Sequence, residues 1–172
     1  MIWVLFDTKA ILDSIIYIFP AYVANAAPVI FGGGAPLDLG KRFIDGKRIF
    51  GDHKTIRGLV SGIICGILAG ILLSPFTSLS LMEDVRRAIL LSIGAHLGDL
   101  LGSFIKRRIS IPPGGSLPVM DQIGFLIFSL AITLPFYPLP LPCILFLVLV
   151  TLILHPLTNI LAYLLKLKEK PY

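Results

Sequence analysis

The feature that most constrains this chain is a series of long apolar stretches interrupted by only two extended polar segments. A helix needs about 20 mostly apolar residues to cross a bilayer, where its backbone must satisfy its own hydrogen bonds. Five stretches approach that length: about Ile11 to Phe31, Arg57 to Leu79, Val85 to Ile105, the run from Pro118 to about Pro135, and Leu141 to Leu165. Charged residues are 15% of the chain, against about 25% in an average soluble domain. The sequence thus predicts an all-α integral membrane protein of about five transmembrane helices. Residues 1–172 are expected to form a single membrane-embedded domain.

Local features refine this expectation. Pro20 and Pro28 can kink the first span, and Pro75 can end the second early. Glycines recur every four residues at Gly58, Gly62, Gly66 and Gly70, and again at Gly94, Gly98 and Gly102. Such seams let helix backbones approach closely, which matters where lipid tails provide no hydrophobic drive for association. Cys65 and Cys143 lie in separate apolar runs and read as small buried hydrophobes rather than a disulfide or metal site. The opening MIWVLFDTKA lacks a basic start and a small-residue cleavage site, so it is expected to be retained.

Fifteen Lys and Arg against ten Asp and Glu give a net charge of +5. The bases cluster at span ends, which argues for membrane orientation rather than nucleic-acid binding. The first polar stretch, through Arg57, holds Lys41, Arg42, Lys47, Arg48, Lys54 and Arg57; the second holds Lys106, Arg107 and Arg108; the tail holds Lys166, Lys168 and Lys170. On the other side, Arg86 and Arg87 are offset by Glu83 and Asp84. This asymmetry predicts a multi-pass protein of the cell membrane with its N-terminus outside, its C-terminus cytosolic and both polar loops on the cytosolic face, where they form the site.

His96, Asp99, Ser103 and Lys106 follow at spacings of three, four and three, which places them on one helical face. Asp99 lies about 10 Å deeper than Lys106 at 1.5 Å per residue. A carboxylate there costs roughly 2.5–3.5 kcal/mol on insertion scales unless a cavity, cation or partner compensates. Asp121, at the start of the fourth span, should lie at nearly the same level. Two carboxylates surrounded by cations suit one or two Mg²⁺ ions bridging phosphate oxygens. The first loop interleaves glycines with Asp45, Lys47, Arg48, Asp52, Lys54, Thr55 and Arg57, so backbone N–H groups and cations can converge on phosphates. It is not a P-loop, because Gly51 and Lys54 are not adjacent. His155, Thr158 and Asn159 beside Pro156 read as locally satisfied groups of a bent helix. The residues by themselves reach an anionic, phosphorylated ligand at the cytosolic face.

Asp99-Leu100-Leu101-Gly102-Ser103-Phe104-Ile105-Lys106-Arg107, followed by Gly114-Gly115 and Met120-Asp121-Gln122, resembles the signature of the integral membrane phosphatidate cytidylyltransferases, or CDP-diacylglycerol synthases. The first loop is similar to that of the archaeal relatives, the CDP-archaeol synthases. It does so through Asn25, Ala27-Pro28, Gly32-Gly33-Gly34-Ala35-Pro36-Leu37-Asp38, Asp45-Gly46-Lys47-Arg48 and Gly51 to Gly58. Gln122 and Gly124 stand where the bacterial signature has Arg and a second Asp, which leaves Asp99 and Asp121 as the metal pair.

The resemblance implies an enzyme that uses CTP, Mg²⁺ and an isoprenoid ether-lipid phosphate, 2,3-bis-O-(geranylgeranyl)-sn-glycerol 1-phosphate. Asp99, Asp121, Lys106 and Arg107 are then the expected catalytic residues, with Asp99 and Asp121 holding the metal. Lys47, Arg48, Lys54 and Arg57 join Lys106 and Arg107 on the phosphates. Asn25, Asp45, Asp52, Thr55, Ser103 and Gln122 complete the substrate-binding set. Membrane lipids are the other partners, and assembly as a homo-oligomer stays open. A small transporter or channel lined by Asp99 and His96 would instead need polar residues through the whole membrane depth. A non-catalytic membrane subunit would show no nucleotide effect.

Overall fold

The computed structural model describes residues 8–112, 114–168 and 170. They form five helices: α1 (Thr8–Phe31), α2 (Ile56–Leu73), α3 (Leu81–Arg108), α4 (Met120–Thr133) and α5 (Leu141–Leu164). A 3₁₀ turn at Ser74–Phe76, entered through Pro75, ends α2 earlier than its hydropathy suggests. Among the described residues the only β pairings are isolated bridges, Pro36 with Thr55 and Arg42 with Arg48, both inside the first loop.

Among the described residues, four helical segments are long and apolar enough to cross a membrane: Thr8–Phe31, Ile56–Phe76, Leu81–Arg108 and Leu141–Leu164. This corrects the expectation of five full spans. With 14 residues, α4 covers roughly 21 Å, short of the ~30 Å hydrocarbon core. The apolar run read as the fourth span lies between Pro118 and Pro135, and the helix occupies only Met120–Thr133 within it. The chain enters α4 through Val119, whose φ of 67° and ψ of −56°, with the Met120 N–H donating to the Pro118 carbonyl (2.8 Å), make a γ-turn of the rare strained form.

The glycine seams bring the helices together. A Cβ on Gly62 would come within 2.2 Å of His96 Nε2 and 2.6 Å of the Ala24 carbonyl, so α1, α2 and α3 meet there. Pro28 has no N–H to offer that carbonyl. A Cβ on Gly98 would sit 2.4 Å from the Gly124 carbonyl, and one on Gly94 2.5 Å from Ser129 Cα, which locks α3 against α4. Around these contacts Tyr17, Ile18, Ala21 and Ala24 of α1 pack with Leu91 and Ala95 of α3, Phe125, Leu126 and Leu130 of α4, and Leu147 of α5. The two cysteines are free; Cys143 is buried, as expected, whereas Cys65 is only half-buried.

Polar groups inside the bundle are mostly paired. Tyr22 and Thr151 hydroxyls meet at 2.6 Å, and Ser129 Oγ donates to the Leu91 carbonyl at 2.8 Å. At the end away from the large loops, buried Asp84 pairs with Arg87 (2.6 Å) and accepts from Thr77 Oγ1 (2.6 Å). Arg87 also lies over the Tyr17 ring, and Glu83 binds both Arg86 and the Tyr137 hydroxyl. The offset of Arg86 and Arg87 by Glu83 and Asp84 is therefore a set of ion pairs. Burial, followed by the Glu83 hydrogen bond, pushes the Tyr137 hydroxyl above its ordinary pKa.

Helix α5 is the least integrated element. Its buried residues, Cys143, Leu147 and Thr151, all lie in its first half. Ile153, Leu157, Leu161 and Leu164 in the second half are exposed to the surroundings.

Candidate active site at the loop end

The loops joining α1 to α2 and α3 to α4 lie at the same end of the bundle, and helix ends explain part of their order. Thr55 caps α2 by accepting from the Gly58 N–H (3.0 Å), and Lys106, Arg107 and Arg108 occupy the last turn of α3, where cations complement the helix dipole. The first loop is a built structure. Leu37 N–H donates to the Lys54 carbonyl (2.6 Å) and Phe43 N–H to the Lys47 carbonyl (2.8 Å), which closes a short hairpin with Asp45-Gly46 at its tip.

Asp38 organises this loop. Its side chain is fully buried and accepts from the backbone N–H groups of Gly40, Phe50 and Gly51, while Arg48 donates to both of its oxygens. Burial pushes the Asp38 carboxyl up, but Arg48 and the three N–H donors outweigh that and hold it well below the usual carboxylate range. Arg48, also paired with Asp52 at 2.7 Å, is raised in turn, foremost by the Asp38 hydrogen bond. Asp38 lies outside the expected site residues, and its signal in the sequence is slight: one acid before Gly40, itself at φ 80°.

Two contacts staple the first loop to the second. Lys47 Nζ donates to the Arg108 carbonyl (2.7 Å) and to Ser110 Oγ (2.8 Å). Arg108 pairs with Asp45 (3.1 Å) and lies over the rings of Phe43 (5.0 Å) and Phe104 (4.7 Å), which meet edge to face. In the sequence Arg108 is one base of a run; its place between two aromatics separated by 61 positions has no local signal.

Below this roof lie the two carboxylates. Lys54 from the first loop forms an ion pair with Asp99 on α3, and Lys106 pairs with Asp121 on α4 at 2.8 Å. Asp121 also accepts from the Leu117 N–H (2.8 Å). Gly98 packs against Gly124, and Gly102 faces Met120. Asp121 is therefore level with Gly102, about 4–5 Å along the axis from Asp99 at 1.5 Å per residue. The structure thus brings Lys54, Asp99, Lys106 and Asp121 into one polar cluster at the loop end of the bundle.

The remaining expected site residues are distributed around it. Ser103 and Arg107 are buried on α3, Ser103 one turn from Asp99, and Arg107 donates to the Pro112 carbonyl (3.1 Å). Gln122 and Asn25 are half-buried, on α4 and α1 respectively, whereas Arg57 and Asp52 are exposed. His96 is buried against Gly62, and among the described residues its Nε2 has no hydrogen-bond partner.

Among the described residues no group of three or more His, Cys, Asp or Glu converges into a cage for a metal. Two carboxylates with lysine partners are still the kind of oxygen donor set Mg²⁺ uses, since it commonly takes one or two carboxylates and completes its shell with waters and substrate phosphates.

The chain is similar to known proteins over most of its length. A CDP-archaeol synthase from Pyrococcus furiosus is 48% identical over 166 residues, covering 94% of this chain and 98% of the relative. One from Methanocaldococcus jannaschii is 44% identical over 171 residues, covering 94% and 97%. A solved structure, described as giving structural insight into an intramembrane enzyme for archaeal membrane lipids biosynthesis, superposes with a TM-score of 0.81 at 37% identity, over 87% of this chain and 94% of that one. A family profile described as CarS-like, CDP-archaeol synthase, matches residues 8–172, the span that contains all five helices and both loops. The chain belongs to the CarS-like CDP-archaeol synthase family.

Proposed function

We propose that this protein transfers the cytidylyl group of CTP to 2,3-bis-O-(geranylgeranyl)-sn-glycerol 1-phosphate, forming the CDP-lipid and pyrophosphate for archaeal membrane phospholipids. The observation that carries this reading is the convergence of both loops on the Lys54–Asp99 and Lys106–Asp121 pairs at one end of an apolar bundle. That cluster offers a polar, charge-balanced site to a water-soluble triphosphate while leaving the helices open to a lipid.

A phosphate monoester is already an anionic nucleophile, so the protein need not supply a covalent one. One of its oxygens attacks the α-phosphorus of CTP, a new P–O bond forms, and the bond to the bridging oxygen of the β-phosphate breaks, releasing pyrophosphate. The chain's contribution is positioning and neutralising charge. Lys54, Arg57, Lys106 and Arg107 contact phosphates. Arg48 and Lys47, tied to Asp38 and to the second loop, hold the site in shape and add to its positive field. Asn25, Asp45, Asp52, Thr55, Ser103 and Gln122 surround the nucleotide. Asp99 and Asp121 would hold a Mg²⁺, whose charge would offset that of the phosphate oxygens.

The loop end faces the cytosol, where CTP is made, with the N-terminus outside. Support comes from the lysines and arginines of both loops and the tail at this end, against the internally paired Arg86 and Arg87 at the other. The transporter reading finds no support in the bundle centre, where Tyr22, Thr151 and Ser129 bond to neighbouring helices rather than line a path. The test is ligand binding by the purified protein: CTP with Mg²⁺ raises its melting temperature and UTP does so less. No shift with CTP at saturating concentration would refute the reading.

A further inference from the structure

The polar residues of α5 do more than satisfy one another. Thr158 Oγ1 does bond locally, to the His155 carbonyl at 2.9 Å. Beyond the end of α5 the chain reverses, with Lys166 at φ 59°, and Lys168 Nζ returns to donate to Asn159 Oδ1 at 3.0 Å. The Asn159 amide in turn meets His155 Nδ1 at 3.3 Å. The His155 ring stacks on Phe125 with centroids 6.2 Å apart, and Phe125 lies one turn beyond Asp121 on α4. This chain of contacts carries the tail lysine back to the carboxylate cluster. Burial pushes Lys168 below the ordinary lysine pKa, and the nearby Lys54 and Lys106 ammonium groups act in the same direction against Asp121 and Asp99.

Three ammonium groups, from Lys54, Lys106 and Lys168, therefore share a neighbourhood with two carboxylates, and the balance favours an anion. Lys54 belongs to the polar first loop. Lys168 belongs to the tail beyond α5, whose second half touches α4 through His155 and Phe125 but leaves Leu157 and Leu161 exposed, while α4 exposes Ile127. An anion reaching Lys168 from this side arrives with apolar chains beside it.

We infer that Lys168, positioned by Asn159 and His155, binds the phosphate monoester of the lipid substrate as it enters between α4 and the outer half of α5. The inference rests on the cytidylyl-transfer reading and assigns the lipid side of that site. Asn159 and His155 act through Lys168. Their network orients the ammonium, and His155 fixes α5 against Phe125.

The test is steady-state kinetics of the full chain in phosphatidylcholine vesicles, varying lipid phosphate and CTP separately. Lys168→Met should raise the apparent KM for lipid phosphate by about ten-fold or more, the effect of losing one charge-assisted contact. Its KM for CTP should stay within about two-fold, and Lys168→Arg should recover most of the loss. An unchanged lipid KM in the methionine variant, or equal rises in both KM values, would overturn the assignment. A defect that appears only after anionic phosphodiester lipid is added would place Lys168 on bulk headgroups and overturn it as well. A wild-type protein that forms no CDP-lipid would instead overturn the underlying activity, and this subsite with it.

Discussion

Lys54, in the loop before α2, reaches across to Asp99, about two and a half turns inside the end of α3, and forms an ion pair with it. The contact joins the first polar loop to a carboxylate set well inside a membrane-spanning helix. It also explains how a carboxylate can persist at that depth: the lysine compensates it, and a third of the aspartate side chain stays accessible.

Asp99→Asn should therefore lower turnover by at least about 10²-fold while the protein still inserts and folds. The pair is part-exposed, so the stability loss is small, about 1 kcal/mol. Lys54→Met combined with Asp99→Asn should recover stability without recovering activity. Thermal melts in detergent set beside turnover separate the two effects, and recovery of activity in the double variant would remove both residues from the chemistry.

Asp38 makes the first loop sensitive to acid. Its carboxyl sits below the usual range in the folded protein, so the stabilisation it contributes is fully present above the unfolded value of about 4. It is lost progressively as pH falls below that value toward the folded pKa. Asp38→Asn removes this pH dependence and loosens the loop at neutral pH. Hydrogen exchange at the Phe50 and Gly51 amides reads both effects, and exchange in the variant equal to wild type at pH 7 would contradict them.

The seam between α3 and α4 predicts a contrast between two neighbouring glycines. Gly98→Ala puts a methyl 2.4 Å from the Gly124 carbonyl, and backbone must move. The expected cost is about 1–3 kcal/mol, with reduced turnover as Asp121 shifts relative to Asp99. Gly102→Ala meets nothing nearer than Met120 Cγ at 4.0 Å and should leave the melting temperature unchanged or slightly higher. Similar melts for the two variants would argue against this packing.

Arg108→Met removes the charge that bridges Asp45, Phe43 and Phe104. With the two loops less firmly joined, the KM for CTP should rise by about ten-fold, in line with a loss of 1–2 kcal/mol of cation–π and ion-pair energy. Isothermal titration with CTP checks this directly, and an unaltered affinity would limit Arg108 to a surface role.

Much of this was legible because it depends on short-range periodicity. The three, four, three spacing of His96, Asp99, Ser103 and Lys106 placed them on one face of α3, and antiparallel packing then put Asp121 near the level of Asp99. The glycine seams likewise announced close helix contacts. Other features depend on contacts that no local pattern encodes. The Asp38 hub needs several turns with positive φ to bring Gly40, Phe50 and Gly51 to one carboxylate, and the Arg108 clamp joins two aromatics 61 positions apart. The fourth span reads as the whole apolar run between Pro118 and Pro135, whereas the helix itself occupies only Met120–Thr133 within it. The return of Lys168 to Asn159 was hidden because a tail lysine at a span end already had an adequate explanation in membrane orientation.

The most direct test of the central claim follows the α-phosphorus of CTP in vesicles containing the purified protein and the geranylgeranyl ether-lipid phosphate. The account predicts that an α-phosphorus radiolabel passes into the lipid fraction with release of unlabelled pyrophosphate, and that Asp99→Asn and Asp121→Asn both abolish the transfer. Label that stays in the aqueous phase with wild-type protein, or that enters lipid equally well with both variants, would contradict it.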